Sequence, residues 1–169
     1  MKKLTVTVIL VHCFCCNGIA QTCVTEQEIP SSTPDSRFIV DAVAETVVDK
    51  LTQLMWSHCS IGQSGTSCET GSASGVNWQN ALTEAQNSTI GGYNDWRLPN
   101  VKELYTLVEM RCYSPSINTT IFPNTTNNNY WTSSPDVGVS GNAWTITSYG
   151  EAFRLDQSSL YNVRLVRNP

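Results

Sequence analysis

The chain has 169 residues, 14 of them acidic and 10 basic, for a net charge of −4 with neutral histidines. That length suits one domain with one well-buried core. The acidic balance argues against a nucleic acid or a broadly anionic surface as the main partner.

At the start, Lys2 and Lys3 precede the apolar run from Leu4 to Phe14, and Asn17, Gly18, Ile19 and Ala20 follow as a small-residue exit. This is the pattern of a secretory signal cut after Ala20. The run falls short of the roughly 18 apolar residues that a membrane-spanning helix needs, and no transmembrane segment is expected once residues 1–20 are removed. Without them, 14 acids face 8 bases, a balance of −6, and the seven cysteines fall to four: Cys23, Cys59, Cys68 and Cys112. An even number in an exported chain reads as two disulfides. Three pairings are open. Spacing favours Cys59–Cys68, which brackets the polar segment from Ser60 to Ser67, with Cys23–Cys112 tying down the N-terminus.

Residues 21–36 are polar, carry Pro30 and Pro34, and read as an arm before a domain over 37–168. Short β-branched runs at Arg37 to Val40 and Thr46 to Val48, then Leu51 to Trp56, predict opening strands. From Asn77 to Gln86, Trp78, Ala81, Leu82 and Ala85 recur at helical spacing, and Asn77 is placed to cap the first turn. A second helix begins at Asn100, with Glu103 set to complete a capping box and Val101, Leu104, Tyr105 and Val108 as its apolar stripe. Between the helices, Gly91 and Gly92 permit a tight corner, and Pro99 keeps Leu98 out of the helix. In an extended "DWRLP", Trp96 and Leu98 point into the core, while Asp95 and Arg97 share the other side and are expected to pair.

After Cys112 comes a long polar connection with Ile117, Ile121 and Phe122 as buried pegs. From Tyr130 the period drops to two, and four strand-like runs end in "LYNVRLVR". They predict an antiparallel meander. The fold class is therefore α+β: two helices, short N-terminal strands and a C-terminal antiparallel β-meander, stapled by disulfides.

"VVDKLTQLMWSHCSIGQ", "WQNALTEAQ", "GGYNDWRLPNVKELYTLVE", "FPN", "YWTSSP", "AWTI" and "YNVRLVRNP", in that order, resemble the Lcl C-terminal domain, named after the end of a bacterial collagen-like adhesin. The resemblance covers roughly Arg37 to Asn168. It implies a C-type-lectin-like fold related to formylglycine-generating-enzyme domains, in a bacterial secreted, periplasmic or cell-surface protein. One departure is "DAVAE", which stands where the family resemblance leads us to expect a glycine-rich turn. The adhesin recognises sulfated polysaccharides, a specificity that the −6 balance disfavours here. With a bacterial chain implied, the sequons at Asn87, Asn118 and Asn124 read as chance.

Few constellations carry chemistry. His58 is the one histidine after residue 20, and one histidine supports neither a usual zinc site nor a Ser-His-Asp arrangement. It reads as a polar residue beside a disulfide. An oxidase of the formylglycine-generating kind needs a reactive cysteine pair late in the fold, and the last cysteine is Cys112. No enzyme activity, metal or cofactor is expected. Calcium is compatible with the fold but unsupported, because "YNDW" and "SPD" offer isolated acids where Ca²⁺ wants six to eight oxygens. What remains are amides beside aromatic faces: Asn127, Asn128, Asn129, Tyr130 and Trp131, then Asn142, Trp144, Tyr149 and Arg154. These suit stacking on sugar rings or holding a peptide, and they predict a glycan or a host or envelope protein as partner. The competing reading buries Trp131 and Trp144 in the meander and makes the chain a structural subunit of an envelope complex.

Overall fold

In the computed structural model, which describes residues 21–169, the apolar runs become two antiparallel sheets with a helix set against each side of the later one. The secretory-signal expectation for residues 1–20 lies outside the described residues. In chain order the elements are β1 (Thr22–Cys23), β2 (Phe38–Asp41), β3 (Thr46–Asp49), β4 (Leu54–Ser57), β5 (Gln63–Ser64), β6 (Thr70–Gly71), α1 (Trp78–Asn87) and α2 (Val101–Tyr105). Then follow β7 (Cys112–Tyr113), β8 (Tyr130–Pro135), β9 (Asn142–Ile146), β10 (Ala152–Asp156) and β11 (Val166–Arg167). One sheet has the order β11-β4-β3-β2 and the other β10-β9-β8, while β1 pairs with β7 and β5 with β6. The fold is α+β, with both disulfides in the favoured pairing, Cys23–Cys112 and Cys59–Cys68.

The core divides into two clusters, and β8 feeds both. Tyr130 joins Phe38, Val47, Trp56, Leu104, Phe122 and Ile146, whereas Trp131 joins Ala81, Ala85, Trp96, Leu98, Val163 and Leu165. Successive strand residues point to opposite faces, so a sheet covered on both sides buries both aromatics. α1 fits the second cluster because its inward positions Ala81 and Ala85 are small. Its cap is as expected, with the Asn77 side chain accepting from the Asn80 amide at 2.8 Å. Ile117, Ile121 and Phe122 are the buried pegs of the long connection.

Several local expectations need correction. α2 spans only Val101–Tyr105, and Tyr105 is exposed while Leu107 is buried in its stead. The capping box on Asn100 and Glu103 is present. Asp95 and Arg97 do not pair. Asp95 accepts from Arg167 Nε at 2.6 Å, and Arg97 makes a two-pronged pair with Glu103 at 2.8 Å per contact. The last run does not extend the meander: β11 crosses to β4, and Val166 also bridges to Arg97. Trp96 and Leu98 are buried as expected.

The "DAVAE" turn works without glycine. Asp41 Oδ1 accepts the amides of Val43 and Ala44, and Glu45 takes a φ of 55°. Asp49, fully buried, is the anchor at the other end of this hairpin. Burial opposes its charge, but hydrogen bonds from Arg37, Thr52 and the Leu51 amide prevail and hold its carboxyl below the ordinary range.

Residues 21–36 form an arm fastened along the domain. β1 lies against β7 beside the Cys23–Cys112 bond. Glu109 collects the rest: it accepts from Ser31 Oγ, the Ser32 and Thr33 amides and Thr33 Oγ1. Burial raises its pKa, yet these bonds and the Arg111 amide outweigh burial and bring it down to about 2.

Candidate functional site

The nine residues expected to hold a ligand do not form one patch. Trp131 has no exposed surface; its Nε1 donates to the Val76 carbonyl at 2.8 Å and its ring meets Tyr161 edge-on at 5.0 Å. Tyr130 is also buried, its hydroxyl 2.8 Å from Ser60 Oγ. Neither offers a face to a sugar, which corrects their placement among ligand-facing residues. Asn127, Asn128 and Asn129 are half-buried. Asn128 Oδ1 accepts the Asn129 amide, the Asn129 carbonyl accepts the Asn162 amide, and Asn127 Nδ2 reaches Ser114 Oγ. They build the turn into β8.

The other residues come together on β9 and β10. Trp144 and Arg154 are directly opposite in the register, as are Asn142 and Asp156. Strand alternation puts all four on one face. The Arg154 guanidinium lies over the Trp144 ring at 5.2 Å, a cation–π stack. Its side chain is 54% exposed, and its nearest acid, Asp136, is 3.9 Å away. Asp136 Oδ1 accepts the Gly138 amide, while its buried Oδ2 has no hydrogen-bond partner among the described residues. The guanidinium thus forms a long ion pair with Asp136 and donates no hydrogen bond to the protein among the described residues. Trp144 is half-buried and Tyr149 is 60% exposed at the β9–β10 turn. β10 is an outer strand of its sheet, so that edge of the sheet carries no further strand among the described residues.

Three clefts lie elsewhere. One of about 410 Å³ runs between the arm and the segment after β7, lined by Gln21, Glu26, Asp35, Arg111, Asn118 and Thr119 among others. Another of about 350 Å³ separates α1 from the start of α2, around Trp96, Leu98 and the Arg97–Glu103 pair. A third of about 240 Å³ opens beside Cys59 between Glu45 and Glu84.

Two buried polar groups lie away from this face. Arg164 is 1% exposed and has no carboxylate partner among the described residues. Its Nη1 donates to the carbonyls of Ser57 and His58, its Nη2 to Ser60 Oγ and Thr125 Oγ1, and its Cζ lies 4.6 Å from the Phe122 ring centre. His58 is 2% exposed. Burial, then the nearby Arg164 charge, lowers its pKa and keeps the ring neutral at neutral pH. A fully buried Arg164 binding carbonyls rather than a ligand is a cross-link between β4, the long connection and the last segment. Spacing could not have shown this, because the partners are 39 to 107 residues away.

Among the described residues, no helix is long and apolar enough to cross a membrane. The sequence model of one family, the Lcl C-terminal domain, matches residues 45–167. Curated proteins provide no match to the chain.

Proposed function

The chain belongs to the Lcl C-terminal domain family, and from that membership we propose that it is an extracellular adhesion module that grips a glycan on the outer face of β9 and β10. The observation that carries this reading is the Arg154–Trp144 stack beside Asn142. A sugar has apolar C–H faces and a rim of hydroxyls. Trp144 supplies flat apolar surface for the first. Arg154 supplies fixed N–H donors for the second, pre-organised by the ring beneath it. Family membership and two disulfides suit a protein that works outside the cytoplasm.

This reading assigns no catalytic step, no metal and no cofactor to the face. One arginine in a chain of balance −6 favours a neutral or sparsely charged glycan over a densely sulfated one, which calls for clustered positive charge. The test is a glycan-array screen of oxidised residues 21–169, with and without calcium, repeated with Trp144→Ala and Arg154→Ala. Saturable binding lost in both variants supports the face; binding unchanged in both removes it.

A second reading, a protein partner in an envelope assembly, draws on a different edge. β2 is the outer strand of its sheet, with Ile39 58% exposed and Val43 88% exposed in the adjoining turn. An apolar outer strand without lysine or proline is a surface that other chains can pair with. Ile39→Lys abolishes assembly under this reading and leaves glycan binding intact.

A further inference from the structure

The corner beneath the Cys59–Cys68 bond holds an unused ligand. His58 is 2% exposed, Cys59 4% and Cys68 1%. A ring nitrogen of His58 and both sulfurs lie within 4.8 Å of one another. The His58 Nδ1 is buried with no hydrogen-bond partner among the described residues. A buried polar atom left without a partner is destabilising. A neutral imidazole carries its proton on one nitrogen and a lone pair on the other, and that lone pair is what a metal takes.

While the disulfide stands, its sulfurs are poor ligands. We propose that reduction of Cys59–Cys68 turns this corner into a metal site for a thiophilic divalent ion of the zinc class, with the two thiolates and the His58 imidazole as its three protein ligands. A dithiol reductant supplies the two electrons: it transfers two hydrogens to the disulfide, giving two thiols, and closes its own disulfide. Binding of the ion then releases one proton from each thiol. Two thiolates and an imidazole are a ligand set that zinc takes readily, with a fourth position left for water.

The geometry accommodates this exchange. Two sulfurs sharing a tetrahedral zinc stand roughly 3.8 Å apart at ordinary zinc–sulfur lengths, a separation that the 5.3 Å between the Cα atoms of Cys59 and Cys68 permits once their bond is broken. Side-chain rotation can open that gap. Cys59 lines the cleft of about 240 Å³ with Glu45, Ser60 and Gln63, which gives an ion access and water for the fourth position. The two thiolate charges balance the ion, so the occupied site adds no net charge beside the buried Arg164.

Anaerobic titration of residues 21–169 with Co²⁺, after reduction by a phosphine, tests the proposal. One equivalent of Co²⁺ should produce sulfur-to-cobalt charge-transfer absorption with a tetrahedral visible spectrum, which Zn²⁺ then displaces, and the oxidised protein should produce neither. His58→Ala should weaken binding by at least about tenfold, and Cys68→Ser should remove the charge-transfer band. The double substitution Cys23→Ser with Cys112→Ser should leave it in place. If reduction unfolds the chain, Zn²⁺ should restore the near-ultraviolet circular dichroism, because binding energy at such a site is folding energy. No charge-transfer band with four free thiols counted, unchanged affinity in His58→Ala, dependence on Cys23 and Cys112, or an unfolded reduced chain that zinc does not rescue would each overturn it.

Discussion

Thr33 and Glu109, 76 residues apart, are joined twice: the Thr33 amide donates to Glu109 Oε2 at 3.0 Å and the Thr33 hydroxyl to the same oxygen at 2.7 Å. With Ser31 and Ser32 adding bonds, one buried carboxylate fastens residues 31–33 of the arm.

That fastening depends on pH. Glu109 has its folded pKa depressed from 4.5 to about 2. A depressed carboxylate contributes stability that is fully present above its unfolded pKa and is lost as pH falls through the folded value. The contribution, about 3 kcal/mol, therefore fades between roughly pH 4.5 and pH 2. Urea unfolding across that window should show the loss, and Glu109→Gln should flatten the slope and lower stability at pH 7 by a similar amount. An unchanged slope contradicts the assignment.

Arg164 should tolerate no replacement. Arg164→Met leaves the Ser57 and His58 carbonyls without their shared donor and should cost about 3 kcal/mol or more. Arg164→Lys should recover little, because an ammonium cannot span the four acceptors that the planar guanidinium reaches at once. Denaturant midpoints of the two variants check this.

Gly91 and Gly92 separate two effects. Both adopt left-handed backbone, at φ +63° and +79°, but a Cβ on Gly91 meets Thr46 Cγ2 at 2.8 Å, whereas one on Gly92 meets nothing within 4 Å. Gly92→Ala should cost about 1 kcal/mol from backbone strain alone. Gly91→Ala should cost about twice that, since crowding adds a further 1 kcal/mol or so. Thermal unfolding of both variants measures the difference.

Features closed over a few residues were legible in the sequence. The Asn77 cap, the Asn100–Glu103 box and the glycine corner each involve partners no more than three positions apart. Cysteine spacing also favoured both disulfides. Partners far along the chain were not legible: Asp95 finds Arg167, 72 positions on, instead of its neighbour Arg97. The site suffered most from the same blindness. Period-two alternation told which residues of "NNNYW" face opposite ways, but not that both faces of β8 are covered. Trp131 thus looked as available as Trp144, and only the second keeps contact with solvent.

The reading of this protein as a binding module rests on Trp144 and Arg154, and their substitution is well suited to a clean test. Arg154 is largely exposed, so Arg154→Ala should change stability by no more than about 0.5 kcal/mol. The decisive measurement is the affinity of oxidised residues 21–169, wild type against Arg154→Ala and Trp144→Ala, for the glycans that the array selects. A drop of at least about tenfold in both variants, each with wild-type circular dichroism, is the predicted result. Undiminished affinity in both folded variants would contradict the claim that this face holds the ligand.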